Sequence, residues 1–306
     1  MLTLKKLTFA PLFLVVFLLL IYQISPLLRS YDFIFSVSFS TLIELVIISA
    51  AVSLSSFLFA LFVSLSFDWK YIFPVGILAS LIPLLFLDTS LGLVYIIGIL
   101  VSLLITYLNL DNALKSYLTF QPSSLLGPSI RHLSGLLILS FCLVYFLSTS
   151  KIIAQNGFQI PDSLIDTALK FTQPAGSSEQ ESSTSQINIP QEQIDLLKKN
   201  PDLLKKSGLD PKILDTLNSP KSQNTLNTPN DIIKQTIKDQ IQSLLKPYLG
   251  FVPAVLAVLL FFTLQSLTSI INLLIYPLLW ITFYILEKSG FIKFTEEQRP
   301  VKKLVI

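Results

Sequence analysis

The sequence predicts an all-α, polytopic helical membrane protein of six or seven crossings, with a mostly helical and partly disordered extracytoplasmic insert. Three observations carry this. Apolar runs at about 8–28, 40–66, 71–87, 90–108 and 130–149 are each close to the roughly 20 residues that a helix needs to cross a hydrocarbon core about 30 Å thick. Charge is scarce and segregated: the chain is 52% hydrophobic and 13% charged, with a mean hydropathy of +0.68, whereas about a quarter of a soluble domain is charged. Finally, the forty residues Pro247–Leu286 contain no charge at all.

The segments follow in order. Residues 1–149 form a bundle of five spans. Residues 150–246 form a polar helical and flexible region. Residues 247–286 form C-terminal membrane helices, and 287–306 are a short charged tail. The first run follows Lys5 and Lys6 and continues to Leu28 with no small-residue cleavage pattern, so it reads as an uncleaved signal anchor. The 247–286 run would be about 60 Å long as one helix, roughly twice the hydrocarbon thickness. Tilt does not absorb that excess. It therefore reads as a hairpin of about 249–265 and 269–286, with Gln265, Ser266, Thr268 and Ser269 at the turn. Pro253 and Pro277 would bend the two arms.

Charge sets the orientation. Lys and Arg favour the cytoplasmic side of short loops. With Lys5 and Lys6 inside, Lys70, Lys115 and Arg131 also fall inside, and only Arg29 lies in an outer loop before the polar region. Residues 150–246 are then extracytoplasmic, and the membrane is a plasma membrane. A C-terminal hairpin conflicts with this rule, because it puts Lys288, Lys293, Arg299, Lys302 and Lys303 outside. Length favours two crossings there and charge favours one. Trp69, Tyr71, Tyr107 and Tyr248 fall near span ends and read as interfacial anchors.

The polar region has two flexible connectors, 173–186, rich in Ser, Gln and Gly, and 219–230, similar and with Pro220 and Pro229. Short helices with Asn-Pro and Asp-Pro starts lie around 191–217. Asp195–Lys199 and Asp202–Lys206 repeat the pattern Asp-Leu-Leu-Lys-Lys, too few copies for a solenoid. Over 191–218 the segment resembles, in an unspecific motif, the short helix arrays of stress-inducible co-chaperone repeats, which implies a groove for apolar helices; the plainer reading is a helical hairpin. The apolar residues Leu196, Leu197, Leu203, Leu204, Ile213 and Leu214 are candidate interaction positions. So are Ile237 and Ile241, on a striped helix expected over Asp231–Tyr248.

Chemistry-bearing residues are sparse. Glu44 is the one ionisable residue well inside a predicted span. Such a residue is a candidate ion or proton ligand, or an interfacial carboxylate favoured by a helix N-terminus. Ser49, Ser53, Ser56, Ala60 and Ser64 share a face of that span. They read as a close-packing seam or as a polar pore lining. The single histidine, His132, has no partner at metal-ligand spacing. The single cysteine, Cys142, lies within an apolar run and reads as a small core residue. No phosphate loop, zinc-protease helix or nucleophile elbow is present. No cofactor is expected, and no clustered basic face suggests nucleic acid.

The reading is a non-enzymatic envelope scaffold, receptor or assembly component, in contact with the lipid bilayer and with an envelope protein partner bound through 191–248. The alternative is a small-solute transporter or channel using Glu44 or the serine face. A third is an envelope enzyme on a lipid-linked substrate, which would need Asp32, Glu44 and Asp88 to converge. The Lys-, Ile- and Leu-rich, Arg-poor composition suits a bacterium with an AT-rich genome.

Overall fold

A computed structural model of the chain describes residues 7–35, 38–117, 120–158 and 246–293. By contact the chain divides into one unit of 1–158 with 248–306 and a second of 159–247, and nearly all described residues belong to the first. Among them there is no strand.

Helix α1, Phe9–Ile24, continues through a 3-10 turn to Leu28. A single-turn helix α2, Asp32–Phe35, precedes α3, Phe39–Ser66. Helix α4, Trp69–Leu81, is prolonged by a 3-10 turn to Leu85. Helices α5, Thr89–Ser116, and α6, Pro122–Asn156, follow. After a 3-10 turn at Lys246–Tyr248 the last helix, α7, spans Val252–Lys288. Five of these stretches are long and apolar enough to cross a membrane, and Trp69–Leu85 is a shorter apolar helix.

Local chemistry sets several boundaries. Ser38, in extended conformation, and Asp88 (φ −56°, ψ 145°) occupy the N-cap positions of α3 and α5 without a side-chain cap bond. Helix α5 runs past the expected 108 to Ser116, carried by an Asp111–Lys115 pair at 2.6 Å on consecutive turns. Helix α6 runs beyond the expected 130–149 at both ends. Pro122 opens it, where the missing N–H costs nothing, and Gly157 (φ 72°) closes it by donating to the Ile153 carbonyl at 2.9 Å. Helix α3 ends on Phe67 in the left-handed region, φ 53°, where glycine is the usual occupant.

The expected C-terminal hairpin is not formed. Residues 265–269 lie in the middle of one 37-residue helix, about 55 Å long. The physical reason is the spacing of its polar residues. Gln265, Thr268, Asn272 and Tyr276 follow one another at steps of three and four, which collects them on one face rather than in a turn. Hydroxyls that point elsewhere bond back to their own helix, as Thr263 does to the Leu259 carbonyl at 2.8 Å. Pro253 sits in the first turn and bends nothing, while Pro277 lies inside the helix.

Cross-helix contacts give the chain directions. Phe13 of α1 packs on Phe59 of α3, ring centroids 5.3 Å apart, so these helices are antiparallel. Ser102 of α5 meets Ser140 of α6 at 3.2 Å, and Ser148 near the end of α6 bonds to Leu28. Helix α7 runs antiparallel to α6: Phe120 packs on Phe283 at 5.2 Å, Arg131 bonds to Tyr276, and Ser134 to Asn272. One end of the unit therefore holds Lys70, Lys115, the start of α6 and Lys288. The opposite end holds Arg29, Asp88, Lys151 and the start of α7. Phe158 also lies there, stacked on Tyr31 at 5.5 Å.

This arrangement removes the conflict between length and charge. As a single helix antiparallel to α6, α7 brings Lys288 to the same end as Lys115. Its excess length is also placed. Arg131 and Lys151 are separated by a rise of about 30 Å along α6, the thickness of a hydrocarbon core. Arg131 is level with Tyr276, so Pro277–Lys288 continues beyond it toward the Lys115 end by about 18 Å of helix.

Candidate functional site

Glu44 lies in the second turn of α3 and is exposed. Its neighbours Thr41, Leu42 and Leu45 line a cavity against Leu260, Thr263 and Leu267 of α7, but Glu44 is not among the lining residues. The structure separates it from the serine face. Ser49, Ser53 and Ser56 are all buried, at 0–1% exposure. Ser56 bonds back to the Val52 carbonyl at 2.9 Å, whereas the Ser49 and Ser53 hydroxyls take no partner. Ala60 and Ser64 continue this buried face. Small side chains here let α3 approach its neighbours closely.

Besides the Ser102–Ser140 contact between α5 and α6, polar side chains meet across helices between α6 and α7. Asn272 Nδ2 donates to Ser134 Oγ at 3.0 Å, and that hydroxyl donates to the Arg131 carbonyl at 2.9 Å. The Arg131 guanidinium donates to the Tyr276 hydroxyl at 2.9 Å and lies 5.8 Å from its ring centroid. Two glycines make room. A Cβ on Gly127 would stand 2.7 Å from Tyr276 Cε1, and one on Gly135 would touch the Gln265 amide at 3.7 Å. Gln265 Oε1, Thr268 Oγ1 and Asn272 Oδ1 are buried without partners. This seam holds two helices together. It contains neutral amides and hydroxyls plus one guanidinium, and no general acid, base or nucleophile pair.

Sequence reasoning missed the seam. The signal was there: Gln265, Thr268, Asn272 and Tyr276 at helical steps on one segment, Gly127, Arg131, Ser134 and Gly135 on the other.

The charged groups that do converge lie at the other end. Arg29, Asp88, Lys151, Ser148 and Gln155 line an open depression with apolar walls that include Leu28, Phe86 and Leu91. Lys151 Nζ stands 4.0 Å from Asp88 Oδ2, and both are exposed. Ser148 Oγ donates to the Leu28 carbonyl at 2.6 Å and ties the segment carrying Arg29 to α6. No group of three His, Cys, Asp or Glu able to hold a metal occurs among the described residues, so Asp32, Glu44 and Asp88 do not assemble such a site. His132 is exposed beside Arg131, and Cys142 is buried. A third cavity, between α3, α4 and α5, is lined by apolar and aromatic residues, with Trp69 and Tyr107 among them.

Leu196, Leu197, Leu203, Leu204, Ile213, Leu214, Ile237 and Ile241 lie outside the described residues. Comparison with protein-family models, curated proteins and solved structures finds no match for the chain.

Proposed function

We propose that the protein is a non-enzymatic, multi-pass scaffold, receptor or assembly component of a bacterial plasma membrane, which holds residues 150–246 on the extracytoplasmic side for an envelope protein partner. The observation that supports this best is where the chain leaves and re-enters the bundle. Phe158 packs on Tyr31 at the Lys151 end, and α7 starts at that same end. The segment between them is thus tethered at both ends on one face. The basic residues Lys70, Lys115, Arg131 and Lys288 gather toward the opposite face, which the positive-inside rule assigns to the cytoplasm. Polar groups inside the bundle are engaged in helix packing rather than arranged around a reacting centre.

The test is to replace residues 191–240 with a Gly/Ser linker of equal length and purify both forms from the envelope in mild detergent. The intact chain should bring down one partner in fixed stoichiometry, and the replaced chain should lose it while keeping the same melting profile. Purification of the intact chain alone under several gentle conditions would remove the basis of this reading. The transporter alternative gains less support, since Glu44 is exposed and apart from the buried serines. Glu44→Gln leaving all cation-dependent flux in reconstituted vesicles unchanged is the expected result.

A further inference from the structure

We propose that the depression formed by Arg29, Lys151 and Gln155 is a binding site for a phosphate group, that of an anionic lipid headgroup at the membrane surface. Three observations lead there. Two cations from segments far apart in sequence converge on one depression. They do so at the end where the positive-inside rule disfavours basic residues, so topology alone does not account for them. Their supports are tied: the buried bond from Ser148 to the Leu28 carbonyl fixes the 3-10 turn leading to Arg29 against the helix carrying Lys151. A pair held this way loses less freedom on binding an anion than two free side chains would.

Asp88 does not consume the site. Its 4.0 Å separation from Lys151 is at the limit of an ion pair, and both groups face solvent, where such pairs contribute little. The depression keeps an excess of one positive charge. Its depth fits the ligand as well. Lys151 lies about 30 Å along α6 from Arg131, the thickness of a hydrocarbon core, and phosphate headgroups lie just beyond such a core. Phe86 and Leu91 supply apolar wall beside the cations, as an amphiphile needs. Arg29 offers a planar fork that suits phosphate oxygens, Lys151 a point charge and Gln155 an amide donor.

Full-length protein in nanodiscs or mild detergent should be titrated with phosphatidylglycerol and, separately, with phosphatidylcholine and with inorganic phosphate, with bound lipid read by native mass spectrometry. Phosphatidylglycerol should bind in preference to phosphatidylcholine. The Arg29→Gln/Lys151→Gln variant should lose that preference by about fivefold per cation, roughly thirtyfold in all. Lys115→Gln, at the other end, should not lose it. Asp88→Asn should strengthen phosphatidylglycerol binding, and it keeps the proposal testable if the double variant does not fold. Competition by millimolar inorganic phosphate at Arg29 and Lys151 would support the anion site and identify free phosphate as its ligand. Equal phosphatidylglycerol binding by intact chain and double variant, or no gain with Asp88→Asn, overturns the proposal.

Discussion

Gly127 gives the sharpest test of how α6 and α7 meet. A Cβ at this position would stand 2.7 Å from Tyr276 Cε1, 3.3 Å from Cζ and 3.4 Å from Cδ1. Carbon atoms at rest are about 3.5–4.0 Å apart, so the ring must retreat by about 1 Å. It is not free to do so, because its hydroxyl takes the Arg131 guanidinium at 2.9 Å. Overpacking of this kind costs about 1–3 kcal/mol. Replacing a helical glycine with alanine returns about 1 kcal/mol through the backbone. Gly127→Ala should therefore destabilise by about 1 kcal/mol net. Gly76, within α4, is the internal control: the nearest atom to its Cβ would be Leu103 Cδ1 at 3.9 Å, an ordinary contact. Gly76→Ala should be neutral or stabilise by up to about 1 kcal/mol. The two alanines should thus differ by about 1–2 kcal/mol in equilibrium unfolding in mild detergent. In a Tyr276→Leu background the cost at Gly127 should vanish, a coupling between neighbours that only direct contact gives. If Gly127→Ala stabilises as Gly76→Ala does, or if its cost is the same with and without the Tyr276 ring, the packing argued here is wrong.

Other consequences are open to simple measurement. Asn272→Leu removes the bond to Ser134 and should cost about 0.6–1.7 kcal/mol, the range for hydrogen bonds between membrane helices, while Asn272→Gln should recover part of it; equal stability of Leu and Asn in thermal unfolding would contradict this. Ser148→Ala should cost about 1 kcal/mol and speed proteolysis near Arg29, because the 2.6 Å bond to Leu28 is lost; an unchanged cleavage pattern would show that the bond does not hold that segment. In a Cys142→Ser background, single cysteines at Ser116 and Ser289 should be labelled from the same side and one at Ser182 from the other. Labelling of Ser289 together with Ser182 would mean that α7 does not pair with α6 in the membrane as it does here. A cysteine at Thr3 should follow Ser116, and labelling of Thr3 from outside would reverse the orientation.

The parts of the fold that were legible in the sequence are those set by composition. The long apolar runs marked α1, α3, α5, α6 and α7 because bilayer thickness imposes one length scale on all of them. Gly157 and Pro122 also signalled the ends of α6, yet hydropathy alone stopped at 130 and 149. The error at 247–286 had a definite origin. Counting length against a 30 Å core treated polar residues as a turn, when their steps of three and four were those of a helix face turned toward a partner. Pairing was the missing information. Nothing in the order of residues says that Asn272 meets Ser134 or that Arg29 and Lys151 line one depression, since both pairings join distant segments. The serine face of α3 was recognisable in the sequence, and Ser49, Ser53 and Ser56 are buried. Glu44 was noticed for its charge, but its exposure depends on which face of α3 the other helices cover.

The seam between α6 and α7 also sets a schedule for assembly. Its two halves are separated in the chain by the whole segment from Asn156 to Val252. At about 5–20 residues per second, α6 is complete some 5–20 s before the end of α7's first turn leaves the ribosome. Throughout that interval Arg131 has no Tyr276 hydroxyl to donate to, and Ser134 has no amide from Asn272. The groove at Gly127 and Gly135 stands open to lipid or to the wrong helix. The nascent chain is therefore most vulnerable after its fourth long element has been made and before the last one docks. An insertase or membrane chaperone that shields small-residue grooves would act on it then. A chain interrupted between residues 157 and 251 leaves that window permanently open, and it should be cleared by membrane proteases much faster than the full-length protein.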